Sequence, residues 1–346
     1  MKFLSYLLIF VPITIIAKFM GAPEVFLFFG SALAIVPLAK FMGEATEGIA
    51  SKTNAAVGGL LNATFGNATE LIISIIALSH GLIGVVQASI TGSIIGNILL
   101  VLGMSMIAGG WKRDRQTFQK TAALASASTL LLACIALVIP AIFSAGGGTL
   151  EDISHLSVPV AIIMIIGYIA MLAFSLITHK HLYTEEVAHV EHAPSNTKRN
   201  ILVLLGSTLA VAWMSEILVG AIEPMVQTLG WSELFIGVIF VAIIGNAAEH
   251  ASAITMAMKN RMDLALQIAI GSTVQIAMLV APLLVLISLL FPVHMPLLFT
   301  TLEVGVILFS VLIANLVIQD GESNWLEGVQ LILTYIIIGI AFFFFH

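Results

Sequence analysis

The chain has 346 residues, of which 60% are hydrophobic and only 9% charged, and its mean hydropathy of +1.11 excludes a water-soluble domain. Its net charge of −6 gives no basis for nucleic-acid binding. The single cysteine, Cys134, lies inside an apolar stretch and excludes a disulfide framework. Taken in chain order over windows of about 20 residues, the sequence predicts helices near 3–19, 24–50, 57–80, 82–109, 117–143, 156–178, 201–222, 232–259, 263–291, 297–318 and 325–345. The expected fold is an all-α polytopic membrane protein of eleven transmembrane helices. Lys2 before an apolar run gives the first segment the look of a signal peptide, but no small-residue cleavage site follows, and it reads as a retained helix.

Basic residues set the expected orientation. With loops numbered by the helix they follow, Lys2, Lys40, Lys52, Lys112, Arg113, Arg115, Lys120, Lys180, Lys198, Arg199, Lys259 and Arg261 fall on one side and Lys18 alone on the other. The positive-inside bias places the N-terminus in the cytoplasm and the C-terminus outside. The compact length points to a prokaryotic plasma membrane.

The pentapeptide Gly66-Asn67-Ala68-Thr69-Glu70 returns 179 residues later as Gly245-Asn246-Ala247-Ala248-Glu249. Its surroundings return with it. Met42-Gly43-Glu44 is echoed by Met214-Ser215-Glu216, while the stretch from Gln87 through Gly92-Ser93 to Asn97 is echoed by Gln267 through Gly271-Ser272 to Gln275. The chain therefore divides into an extra N-terminal helix (1–20), a first five-helix repeat (21–180), a cytoplasmic linker rich in acids and histidines (181–200) and a second five-helix repeat (201–346). Five is odd, so the second repeat enters the membrane from the opposite side. Inverted repeats of this kind belong to secondary transporters, whose substrate sits near the midplane.

A carboxylate at bilayer depth costs roughly 2.5–3.5 kcal/mol on insertion scales, so two in matching contexts point to a shared task. Helical spacing puts Asn67, Glu70 and Ser74 on one face, and Asn246, Glu249 and Ala253 on the corresponding face. If the faces meet, Glu70, Glu249, Asn67 and Asn246 converge, with Ser93, Ser272, Asn97 and Gln275 close by. Such an all-oxygen set suits Ca²⁺ or Mg²⁺, and Gly66 and Gly245 would allow local unwinding that frees backbone carbonyls. Without a cation, two adjacent carboxylates in a low dielectric take up at least one proton. Glu70 and Glu249 are thus the expected proton-coupling groups. His250 is a further candidate, with helix packing as its alternative role.

The sequences GNATEL (66–71), GNAAEH (245–250), GSIIGN (92–97) and GSTVQ (271–275) resemble the paired repeats of the Ca²⁺/H⁺ antiporter (CAX) branch of the cation/Ca²⁺ exchanger superfamily. The resemblance spans nearly the whole chain. It implies eleven helices, a Ca²⁺ site at Glu70 and Glu249 supported by Asn67, Asn246 and Gln275, and gating by the second and seventh helices, which carry Glu44 and Glu216. The implied activity is export of cytoplasmic Ca²⁺, with other divalent cations as alternative cargo, in exchange for H⁺. Sodium-coupled relatives usually place Thr-Ser and a Pro before the repeat Glu and carry a further acid nearby. This chain has neither feature, which favours proton coupling over a Na⁺/Ca²⁺-type exchanger; a cation channel is the alternative from a different class. No cofactor and no enzymatic constellation is expected, since HExxH is absent and Gly146-Gly147-Gly148 reads as a turn. The expected partners are Ca²⁺, H⁺ and the lipid bilayer, and an assembly of identical chains is compatible with the sequence. In the linker, His179, His181, His189 and His192 with Glu185, Glu186 and Glu191 read as a solvated connection, with Ca²⁺ sensing as the alternative that the resemblance implies.

Overall fold

The computed structural model describes residues 5–53, 55–179 and 196–345. Nearly all of them are helical. In chain order the helices are α1 (Leu7–Phe19), α2 (Glu24–Ala50), α3 (Ala55–Phe65), α4 (Ala68–Ser79), α5 (Ile83–Gly110), α6 (Lys120–Ala145), α7 (Leu150–Thr178), α8 (Thr197–Leu229), α9 (Glu233–Met258), α10 (Met262–Ser288), α11 (Thr301–Val317) and α12 (Trp325–Phe344). Among the described residues, eight helices are long and apolar enough to cross a bilayer, and α1, α4 and α11 are shorter apolar helices. Large apolar side chains point outward, as with Ile135, Ile139 and Ile142 on α6 and Ile162, Ile163, Ile166 and Ile169 on α7, whereas Ser31, Thr46, Asn67, Asn97 and Glu303 are buried. That distribution suits a hydrocarbon solvent, in which outward apolar groups carry no penalty and polar groups must be satisfied internally.

The chain forms two compact units. The first comprises Met1–Ser89, Val190–Ala248 and Phe345–His346, and within it α2 packs along α8 while α1 covers α2 and α4 leans on α8. The second comprises Ile90–His189 and Glu249–Phe344, and within it α5 packs on α12, α7 on α10, and α6 on both α10 and α11. Two short strands, β1 (Gln116–Thr117) and β2 (Glu322–Ser323), pair antiparallel with Gln116 opposite Ser323, and Arg115 meets Glu322 at 2.8 Å beside them.

The segment expected as one helix over 57–80 is two helices, α3 and α4, interrupted at Gly66-Asn67. Beyond the break the two halves of the chain keep the spacing of the pentapeptides. Ser79 and Met258 end helices, Gly81 and Asn260 take left-handed backbone conformations (φ 77° and 62°), and Ile83 and Met262 begin the next helices, each pair 179 residues apart. Glycine and asparagine are the residues that tolerate that conformation, which ends a helix by folding its last carbonyls inward. Further on, α5 contains a widened, π-type turn at Gly96–Val101 and α10 one at Ile276–Val280.

Within the second unit, α5 and α12 touch backbone to backbone. A methyl on Gly103 would lie 2.9 Å from the Gly328 carbonyl oxygen, and one on Gly328 would lie 2.6 Å from that of Gly103. Small residues let membrane helices approach this closely, and the gain is dispersion over the contact. Gly328→Val is expected to destabilise the chain by about 1–3 kcal/mol, the usual range for overpacking. Gly206→Ala, which meets nothing within 4 Å, should be neutral. Thermal unfolding in detergent checks both, and equal melting temperatures for the two variants would refute the contact.

Candidate functional site

The first copy of the repeated motif interrupts a helix. After Phe65 the chain turns through Gly66, whose N–H still bonds Asn62 (2.8 Å), and Asn67, whose φ of −98° and ψ of 22° take it out of the helix before α4 begins at Ala68. An interrupted helix leaves the last carbonyls of one half and the first N–H groups of the next without intrahelical partners. Here the second half opens inside the protein, with Asn67, Thr69 and Glu70 all buried. Glu70 stands in the first turn of α4, where the positive end of the helix dipole favours a carboxylate.

From α9, in the same unit, the Asn246 amide donates to Oε1 of Glu70 and to the Ala242 carbonyl (2.9 Å). Gly245 makes room for this contact, because a Cβ there would lie 2.6 Å from Cγ of Glu70. The two pentapeptide glycines thus have different tasks. Gly66 sits at a helix break, as expected, but Gly245 lies within the regular helix Ala242–Met258, so the expected unwinding at Gly245 does not occur. Tertiary packing is what calls for glycine at this position, since the Glu70 side chain occupies the space that a larger residue would fill.

In the second unit, Glu249 is half-buried, one turn beyond Asn246 on α9, and its Oε2 accepts from the Ser272 hydroxyl on α10 at 3.0 Å. Gln275 closes the regular part of that helix just before the widened turn Ile276–Val280. Ser93 and Asn97 are buried on α5, with Asn97 inside the widened turn Gly96–Val101. A π-type turn adds a residue to the helical circuit, re-aims side chains and loosens carbonyls, and such turns recur at functional sites. The Asn97 amide nitrogen is enclosed with no hydrogen-bond partner among the described residues. His250 is buried with its Nε2 likewise enclosed and without a partner among them.

The structure therefore brings Glu70 and Asn246 together in one unit and Glu249 and Ser272 in the other. Asn67 is buried at the break three residues before Glu70. Glu44 and Glu216 lie elsewhere, half exposed, paired with Lys40 (3.5 Å) and His80 (3.0 Å) respectively. Among the described residues, no three His, Cys, Asp or Glu side chains cluster, so a cation here would lean on amide, hydroxyl and backbone oxygens as well as carboxylates. Of the linker residues singled out in the sequence, His181, Glu185, Glu186, His189, Glu191 and His192 lie outside the described residues. His179 stacks on Phe174.

One buried carboxylate escaped the sequence reading. Glu303, 2% exposed, lies in the first turn of α11 and accepts from the Thr300 hydroxyl and N–H (2.8 Å each) and from the Thr91 hydroxyl (3.0 Å). Its signals were a Thr-x-x-Glu capping box and an acid within an apolar run. It has no copy in the other repeat, so a search for doubled acids passes over it.

Residues 23–177 and 199–344 match the family described as sodium/calcium exchanger protein. The chain belongs to that family. Among exchanger relatives, it is 47% identical over 338 residues to the Ca(2+)/H(+) antiporter ChaA of Bacillus subtilis (96% of each chain) and 46% identical over 357 residues to the Ca(2+)/H(+) antiporter of Aphanothece halophytica (98% of this chain, 95% of that one). Among solved structures it is similar to native YfkE, with a TM-score of 0.87 at 45% identity over 99% of this chain and 100% of that one. The H+/Ca2+ exchanger CAX shares the fold at a TM-score of 0.72 and 15% identity, over 99% and 92% of the two chains.

The Gly245 contact in this exchanger has a compensating test. Gly245→Ala should lower the melting temperature in detergent, and the same substitution should cost much less in a Glu70→Ala background, where Cγ is gone. Equal losses in both backgrounds would show that the Glu70 side chain does not occupy that space.

Proposed function

We propose that this chain is an integral membrane transporter, not an enzyme, that exports Ca²⁺ from the cytoplasm in exchange for H⁺. The observation that carries the reading is the repeated pentapeptide carboxylate: Glu70 and Glu249 are each held by a neutral donor, an Asn246 amide and a Ser272 hydroxyl, in a chain alike over its whole length to proteins named Ca(2+)/H(+) antiporters. Neutral donors leave a carboxylate free to trade a proton for a cation, which a permanent lysine or arginine partner would oppose. The proposed Ca²⁺ ligands are Glu70 and Glu249, with Asn67, Asn246, Gln275, Asn97, Ser93 and Ser272 as neutral oxygen donors. His250 is assigned a part in proton coupling as neighbour of Glu249.

The architecture proposed for this task is eleven membrane passes, α3 and α4 together forming one. An extra first helix precedes two inverted five-helix repeats, with residues 181–200 between them, the N-terminus cytoplasmic and the C-terminus outside. The paired helix ends at Ser79 and Met258, the left-handed residues Gly81 and Asn260, and the paired widened turns of α5 and α10 support the repeat. Alternating access follows if the site can face either side only when occupied by Ca²⁺ or by protons. On the outside, protons bind the carboxylates and release Ca²⁺. On the cytoplasmic side, Ca²⁺ binds and expels them.

Two measurements test the proposal. Glu70→Gln and Glu249→Gln should each abolish Ca²⁺ uptake into everted vesicles while the purified chain remains monodisperse, and full transport by either variant would sink the assignment. Because Ca²⁺ must displace protons, its affinity should fall as pH falls, by about tenfold per unit for each proton displaced over the range in which the site titrates. Titration of the purified wild-type chain with Ca²⁺ at several pH values reads this directly, and a pH-independent affinity would contradict it.

A further inference from the structure

The bond between Thr91 and Glu303 breaks the symmetry of the two halves in a specific way. In the second unit α11 packs on α5 at its widened turn Gly96–Val101, and the equivalent pair is α6 against α10, where α6 lies mainly along Met262–Gln275 and also touches the widened turn Ile276–Val280. At the 179-residue spacing Thr91 corresponds to Ile270, and Glu303 to Leu124. Aligning the starts of α6 and α11, Lys120 with Thr301, brings Ala122 to that place instead, so the outcome is apolar by either alignment. Both members of the polar pair are therefore absent together from the equivalent contact.

The pair is also chemically unusual within this chain. Buried helical hydroxyls here generally bond the carbonyl one turn back, as Thr46 does to Met42 (2.8 Å), Thr273 to Ala269 (2.8 Å) and Ser310 to Val306 (2.6 Å). Thr91, fully buried, instead reaches across to Glu303. Another capping-box acid, Asp152 on α7, is exposed at its helix end and bonds Thr149, so a cap does not require burial. Glu303 is buried because it serves α5 as well as α11.

We propose that Glu303 is a positioning residue for Ca²⁺ binding. Through Thr91 it fixes the rotation of α5 one turn ahead of the widened turn, and so aims Ser93 and Asn97, while α10 carries no such anchor. The role belongs to the hydrogen bond, not to the charge of Glu303. The inference rests on the assignment of Ser93 and Asn97 to the Ca²⁺ site.

The test is the concentration dependence of pH-driven Ca²⁺ uptake in proteoliposomes. Five proteins are compared with wild type: Thr91→Val, Glu303→Gln, the double substitution Thr91→Ile with Glu303→Leu, and Ser93→Ala and Asn97→Ala as references. The double substitution installs the apolar pair already present at Ile270 and Leu124, and Thr91→Val removes only a hydroxyl, so a folded protein is available from at least one. Thr91→Val and the double substitution should raise half-saturating Ca²⁺ about tenfold, at the lower end for groups that orient metal ligands, with the maximal rate little changed. Glu303→Gln can keep its one carbonyl oxygen on the Thr300 N–H and donate its amide to the Thr91 hydroxyl, so the crossing bond survives without the charge and the variant should behave as wild type. If the references shift half-saturation and Thr91→Val does not, the anchor is wrong although the site stands. If neither reference shifts it, the assignment of α5 to the site fails and the anchor fails with it. Loss of transport in Glu303→Gln alone would overturn the proposal by showing that charge matters.

Discussion

Carboxylates in a low-dielectric interior constrain everything else in this molecule. Taking a charged group out of water costs several kcal/mol unless a proton, a cation or a set of hydrogen bonds replaces the lost solvent. Glu70 and Glu303 are buried and Glu249 is half-buried, and each is met in a different way. Glu70 has the first turn of a helix and an asparagine amide, Glu249 a serine hydroxyl, and Glu303 two threonine hydroxyls and a backbone N–H. The helix break at Gly66-Asn67 and the widened turns of α5 and α10 are departures from regular helix beside these groups. They cost intrahelical hydrogen bonds and return polar atoms aimed inward.

Much of the fold was legible because the bilayer imposes a simple rule on the backbone. Hydropathy located the apolar spans, since each helix must satisfy its own hydrogen bonds across the hydrocarbon. The pentapeptide recurs at a spacing of 179 residues, and the helix ends at Ser79 and Met258 keep that spacing. The local structure of the motif was not. Gly66 and Gly245 head identical dipeptides, yet one lies at a break and the other in a continuous helix, where the Glu70 side chain packs against it. No reading of either segment in isolation contains that contact.

The candidate site divides in the same way. Glu70, Asn67 and Asn246 stood out as polar residues in apolar runs, and each of them is buried. The widened turns have no local signature, so the surroundings of Asn97 and Gln275 came only with coordinates. The local signal at Glu303 marks only a helix start: Thr300-x-x-Glu303 is a capping box, and the crossing to Thr91 is what shows the buried acid reaching another helix. Doubling singled out Glu70 and Glu249, while Glu303 has no acid at the matching position, where the chain carries Leu124.

The central claim is that proton uptake and Ca²⁺ release are two faces of one binding equilibrium at repeated carboxylates. The most direct measurement loads proteoliposomes containing the purified chain with acidic buffer, places them in alkaline buffer, and follows ⁴⁵Ca²⁺ against its own gradient, beside vesicles carrying an outward sodium gradient at uniform pH. The account predicts uphill Ca²⁺ accumulation driven by the pH gradient and none driven by sodium. Accumulation driven by sodium alone, or movement of Ca²⁺ only down its own gradient in both preparations, would contradict it.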